Sequence, residues 1–68
     1  MNVTVNGRPR EVMAGATVAS VVEMLDVPPG ARGVAVAVDG VVVSRGQWAD
    51  TALREGSLVE VLAAIGGG

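Results

Sequence analysis

Residues 16–30 read ATVASVVEMLDVPPG, and the spacing of apolar positions in this stretch decides the architecture. Val18, Val21, Val22 and Leu25 fall at i, i+3, i+4 and i+7, which places them on one stripe of an α-helix. Thr17 stands directly before the stripe as its N-cap, with a hydroxyl oxygen able to accept from a free N–H of the first turn. Pro28-Pro29-Gly30 cannot continue a helix and marks its exit.

On either side of this helix the period drops to two. Upstream, MNVTVNGRPREVM (residues 1–13) alternates Val3 and Val5, breaks at Asn6-Gly7 and resumes in a short run through Val12. Asn-Gly favours the positive φ angles of a type I′ turn, so this is a hairpin, and Pro9 puts its second strand at a sheet edge. Downstream, GVAVAVDGVVVSR (33–45) alternates Val34, Val36 and Val38 with Ala35 and Ala37, turns at Asp39-Gly40 and resumes at Val41–Val43 as a second hairpin. QWADTAL (47–53) reads as a short helical turn or loop that tucks Trp48 and Leu53 under the sheet. Glu55-Gly56 then turns into SLVEVLAA (57–64), the last strand. The order is strand, strand, helix, strand, strand, strand. This is an α+β chain whose single helix covers one face of a mixed five-stranded sheet, and the fifteen valines suit it.

In the last strand Glu60 sets the faces, because residues i and i+2 share a side and a lone carboxylate belongs outside. Val59 and Val61 then face the helix, and Leu58 and Leu62 look outward beside Glu60. If the neighbouring strand buries its valines, Ala35 and Ala37 also turn outward. The result is a flat apolar patch of Ala35, Ala37, Leu58 and Leu62 around Glu60, a candidate docking surface for a partner protein.

Composition removes most chemistry. At 68 residues there is room for one domain only, here residues 1–63, followed by a flexible glycine tail, 64–68. The chain has neither cysteine nor histidine, which excludes disulfides, the commonest zinc sites and the Cys/His and Ser/His nucleophile pairs. No catalytic residue and no metal ligand set is expected, so the chain does not read as an enzyme. Net charge is −2 and Trp48 is the single aromatic, so neither a basic stripe nor a stacking platform for nucleic acid is present. No apolar run has the length of a membrane span and no signal peptide is evident, which implies a cytoplasmic protein. All five basic residues are arginines, and lysine is absent. Arg45 is read either as the partner of a carboxylate on this chain or as a contact for an acidic partner surface. A monomer is expected in isolation.

The chain ends AAIGGG (63–68), and three terminal glycines contribute nothing to packing while losing the most backbone entropy when fixed. They have a use if Ile65, Gly66, Gly67 and Gly68 enter a partner's active site. There the glycines form a thin thread without Cβ atoms that can approach backbone or phosphate closely. The one reactive handle left is then the terminal carboxylate of Gly68, inert until a partner activates it.

The chain resembles the ubiquitin-like β-grasp sulfur carriers, and within them the ThiS family of thiamine biosynthesis. The resemblance runs along VTVNG (3–7), TVASVVEML (17–25), VAVAVDGVVVSRGQWA (34–49), LREGSLVEVL (53–62) and the final diglycine. Ser44 stands where the family often has proline, Ser57 where an acidic residue often follows the turn glycine, and Gly66 adds a third glycine. The resemblance implies a β-grasp fold and a carrier that binds no cofactor itself. An E1-like, ThiF-type adenylating enzyme would use ATP to convert the Gly68 carboxylate to an acyl-adenylate. Sulfur from a cysteine-derived donor would then leave a thiocarboxylate there, for use by a ThiG-type thiazole synthase. The diglycine is shared with the small subunit of molybdopterin synthase and with ubiquitin-like modifiers. A carrier serving molybdopterin or another sulfur-containing metabolite, and a protein modifier, are therefore the alternatives.

Overall fold

Two hairpins, one helix and a returning strand build the chain, whose residues 1–25 and 31–65 are described by a computed structural model. Strands β1 (Asn2–Val5) and β2 (Arg8–Glu11) form the first hairpin, and helix α1 spans Val18–Met24. Strands β3 (Ala31–Val38) and β4 (Val41–Val43) form the second hairpin, a 3-10 segment follows at Arg45–Asp50, and β5 runs Leu58–Ile65. The sheet order is β2-β1-β5-β3-β4, with β1 and β5 parallel and the other pairs antiparallel. This is the ubiquitin-like β-grasp arrangement, in which the last strand enters the middle of the sheet between the two hairpins.

Both hairpin turns have the backbone their sequences demand. Asn6 and Gly7 sit at φ 50° and 80°, and Asp39 and Gly40 at 50° and 83°, positive at both central positions as a type I′ turn requires. The closing pairs, Val5 with Arg8 and Val38 with Val41, fix the registers of their ladders.

Helix α1 starts where its N-cap places it. Thr17 Oγ1 accepts from Ser20 N–H at 3.3 Å, while Ser20 Oγ accepts from Thr17 N–H at 2.9 Å, a reciprocal capping box. Val18 and Val21 are fully buried, with Val22 and Leu25 half-buried at the edge of the stripe. The expected exit at Pro28-Pro29-Gly30 lies outside the described residues. The helix start is also tied to the loop after the 3-10 segment: Val18 N–H donates to Thr51 C=O at 3.0 Å and Leu53 N–H to Ala16 C=O at 2.9 Å.

Eight valines with Trp48 and Leu53 make the core between helix and sheet. Trp48 supplies its only large ring, and the indole N–H donates to Val43 C=O at 2.9 Å, so the polar end of the ring is satisfied inside. Arg45 lies over that ring, its guanidinium carbon 5.2 Å from the centroid. Neither sequence-based reading of Arg45 had included this stacking.

The sheet also runs further than the sequence suggests. The β3–β5 ladder continues through Ala64 opposite Gly33 and Ile65 opposite Ala31, with a register shift between those two rungs. The strand therefore runs one residue beyond the stretch 57–64 read from the sequence, because β3 begins early enough to offer Ile65 a backbone partner.

Candidate functional site

The candidate site is the C-terminal half of β5 and the sheet face it shares with β3. Register settles which side chains stand together: Ala35 opposes Leu62 and Ala37 opposes Glu60, while Val36 opposes Val61 on the other side. Val36, Val59 and Val61 are buried beneath the helix. Leu58 and Leu62 are 55% and 72% exposed on the outer face, alongside exposed Glu60 and Ala35 and half-buried Ala37. All five residues read from the sequence as a docking surface thus lie on one face.

The sequence reading missed one member. Val42 opposes Ala37 across β3 and β4 and is 76% exposed, so the apolar surface continues to the sheet edge. The run Val41–Val43 has no alternation of its own to show which valine faces out. Beside the surface, an open apolar depression of about 400 Å³ is lined by Gly33, Val34, Ala35, Leu62 and Ala63, where the chain leaves the sheet.

The position of β5 is fixed from both flanks. Asp39 Oδ1 accepts from Leu58 N–H at 2.9 Å, and the Asp39 N–H donates to Leu58 C=O at 2.8 Å. On the β1 side, the Asn6 side chain holds both backbone groups of Val61. At the strand's start Ser57, the buried polar residue among those described, accepts from Arg54 N–H through Oγ at 2.9 Å and closes the turn. Serine at this point of departure from the family pattern thus has a structural use.

Of the four residues expected to enter a partner, Ile65 is the last rung of the ladder. Gly66, Gly67 and Gly68 lie outside the described residues. Three residues can extend at most about 10 Å beyond that rung.

A profile of the ThiS family matches residues 3–68, nearly the whole chain. The chain belongs to the ThiS family. Two solved structures agree with this ThiS assignment over the full length. One is the crystal structure of a thiamine biosynthesis protein (ThiS) from Geobacter metallireducens, 36% identical, with all of both chains covered and a TM-score of 0.78. The other is the solution structure of a thiamine biosynthesis protein from the same organism, 34% identical, covering all of this ThiS-family chain and 88% of that one, with a TM-score of 0.75. No curated protein sequence matches the chain. No helix among the described residues is long and apolar enough to cross a membrane.

Proposed function

We propose that this protein is a sulfur carrier of thiamine biosynthesis whose reactive group is the Gly68 carboxylate. The observation that carries the reading is the ThiS match through residue 68, which includes the glycine end as well as the folded part. The chemistry fits a chain without cysteine, histidine or lysine, because the carrier supplies recognition and reach while a partner supplies catalysis.

The partner is an E1-like enzyme of the ThiF type that binds ATP. A Gly68 carboxylate oxygen attacks the α-phosphorus and pyrophosphate departs, which leaves an acyl-adenylate with AMP as a good leaving group. Sulfur from a cysteine-derived donor displaces AMP and leaves a thiocarboxylate, a softer nucleophile than the carboxylate it replaces. A ThiG-type thiazole synthase then takes up that sulfur. Ala35, Ala37, Leu58, Glu60 and Leu62 form the surface against which these partners seat, with Val42 extending it, while Ile65 and the glycines lead into the active site. The protein has no catalytic role and binds no cofactor in this scheme.

The test is the intact mass after incubation with ATP, a ThiF-type enzyme, a cysteine desulfurase and cysteine. A gain of about 16 Da, one oxygen exchanged for one sulfur at an activated carboxylate, is expected for the full chain and not for a variant lacking Gly68. An unchanged mass in a mixture that thiocarboxylates another ThiS protein would reject the reading.

A further inference from the structure

The two edges of this sheet are protected very differently. At one edge, β2 presents Arg8, Pro9, Arg10 and Glu11, all exposed, and charge and proline both discourage strand pairing. At the other, β4 presents Val41 and Val42, 68% and 76% exposed, with no charge and no proline within the strand.

The backbone sharpens the contrast. Both hairpins close on a two-residue turn, so Val5–Arg8 and Val38–Val41 are the hydrogen-bonded pairs next to their turns. The following residue in each edge strand, Pro9 or Val42, turns its backbone away from the sheet. Pro9 has no N–H to offer there, whereas Val42 has both an N–H and a C=O. The same alternation turns Gly40 C=O and Ser44 N–H outward. Neither group has a partner among the described residues.

We propose that β4 is a self-complementary edge through which two copies of this chain pair antiparallel about a two-fold axis at Val42. In that register Val42 of each copy exchanges N–H and C=O bonds with Val42 of the other, and each Ser44 N–H donates to Gly40 C=O of the second copy. Val41 meets Val43 of the second copy on the helix side, and the two Val42 side chains meet on the outer face. Closure by a two-fold makes a dimer whose remaining edges are the two charged, proline-bearing β2 strands. The seam is only a few residues long, well below a standard interface of about 1,600 Å², so the dimer is weak and depends on concentration. The proposal departs from the monomer expected in isolation, and it stands independently of what the tail does.

Ser44 offers a selective variant. Its φ is −66°, the angle proline imposes, and its N–H has no partner within the described chain, so Ser44→Pro removes an intermolecular donor without disturbing the fold. Val42→Lys places two like charges side by side on the axis. Sedimentation equilibrium of the purified full chain, from about 20 µM to about 1 mM, reads the association. The average mass is expected to rise from monomer toward dimer for the unaltered chain, and each variant should raise the dissociation constant at least about tenfold. Circular dichroism and thermal unfolding verify that both variants are folded. A monomer mass across the whole range would overturn the proposal, as would a dimer that both variants leave unchanged. A dimer lost in Leu62→Glu but kept in both edge variants would place the contact on the outer sheet face and overturn it equally.

Discussion

Asn6 and Val61 are joined side chain to backbone by two hydrogen bonds: Val61 N–H donates to Asn6 Oδ1 at 2.8 Å, and Asn6 Nδ2 donates to Val61 C=O at 3.1 Å. β1 ends at Val5, yet β5 runs on, and the amide of Asn6 imitates one more residue of the missing strand. The left-handed φ that makes Asn6 a turn residue also swings its side chain alongside β5. Asp39 occupies the same place in the second hairpin and holds Leu58 from the opposite flank. Each turn therefore closes its own hairpin and clamps the central strand that leads to the C-terminus.

Replacing Asn6 separates these two roles. Asn6→Gly keeps the turn conformation but loses both bonds to Val61, and an expected cost of about 1–2 kcal/mol follows from two net hydrogen bonds. Asn6→Ala loses the same bonds and keeps a Cβ at positive φ without the short polar side chain that lets Asn tolerate it, about 1 kcal/mol more than Asn6→Gly. Urea denaturation measures both costs. Hydrogen exchange at the Val61 amide should accelerate in each variant, and an unchanged exchange rate in Asn6→Gly would show that the clamp does not hold β5.

The helix start carries a second prediction. Thr17→Ala removes the side-chain acceptor for Ser20 N–H and is expected to cost about 1 kcal/mol. Ser20→Ala removes the reciprocal bond to Thr17 N–H. Because the two bonds form one box, the double variant should cost less than the sum of the singles, which a double-mutant cycle in urea resolves. Strict additivity would mean that the two bonds act independently.

The hairpins and the helix were legible because each rests on neighbours in sequence: Asn6-Gly7 and Asp39-Gly40 dictate local backbone, and the valine stripe dictates a period. The faces of β5 were legible from Glu60 alone. The Asn6–Val61 clamp was not, since it joins residues 55 positions apart and exists only once β1 and β5 lie parallel. Ser20 escaped notice because the usual capping-box partner is Glu or Gln, not Ser. Val42 could not be placed because three consecutive valines carry no parity until a partner strand supplies it. The last residue of β5 was not legible for a related reason. Ile65 directly before three glycines gives little strand signal, and the rung there depends on how early β3 begins.

Trp48 anchors both the core and the end of β4. Trp48→Phe retains an aromatic ring but leaves Val43 C=O without the indole N–H and opens space in a core built mainly of valine. The expected cost is about 2 kcal/mol, which for a domain of this size lowers Tm by roughly 8–16 °C. Arg45→Ala removes the stacking guanidinium from an exposed site and should cost about 0.5–1 kcal/mol. Thermal unfolding followed by circular dichroism checks both, and equal costs would contradict the assignment of Trp48 as the anchor.

Adjacent residues of β5 provide the sharpest separation of fold from proposed function. Val61 lies beneath the helix at 8% exposure, and Leu62, one residue on, is 72% exposed on the outer face. Val61→Ala removes buried methyl groups and should destabilise the domain by about 1–3 kcal/mol while leaving the surface chemistry intact. Leu62→Glu should change stability by no more than about 0.5 kcal/mol, because the side chain is already in water. Against a ThiF-type enzyme, however, it puts a second carboxylate near Glu60 and removes an apolar contact from the proposed docking face. Adenylation monitored by pyrophosphate release should show KM for the Leu62→Glu carrier raised about tenfold or more, with kcat changed far less, since Gly68 itself is untouched. Val61→Ala, assayed below its unfolding temperature, should keep the KM of the unaltered protein. If Leu62→Glu is adenylated as well as the unaltered chain, the activating enzyme does not use this face, and recognition must come from the tail or the helix side.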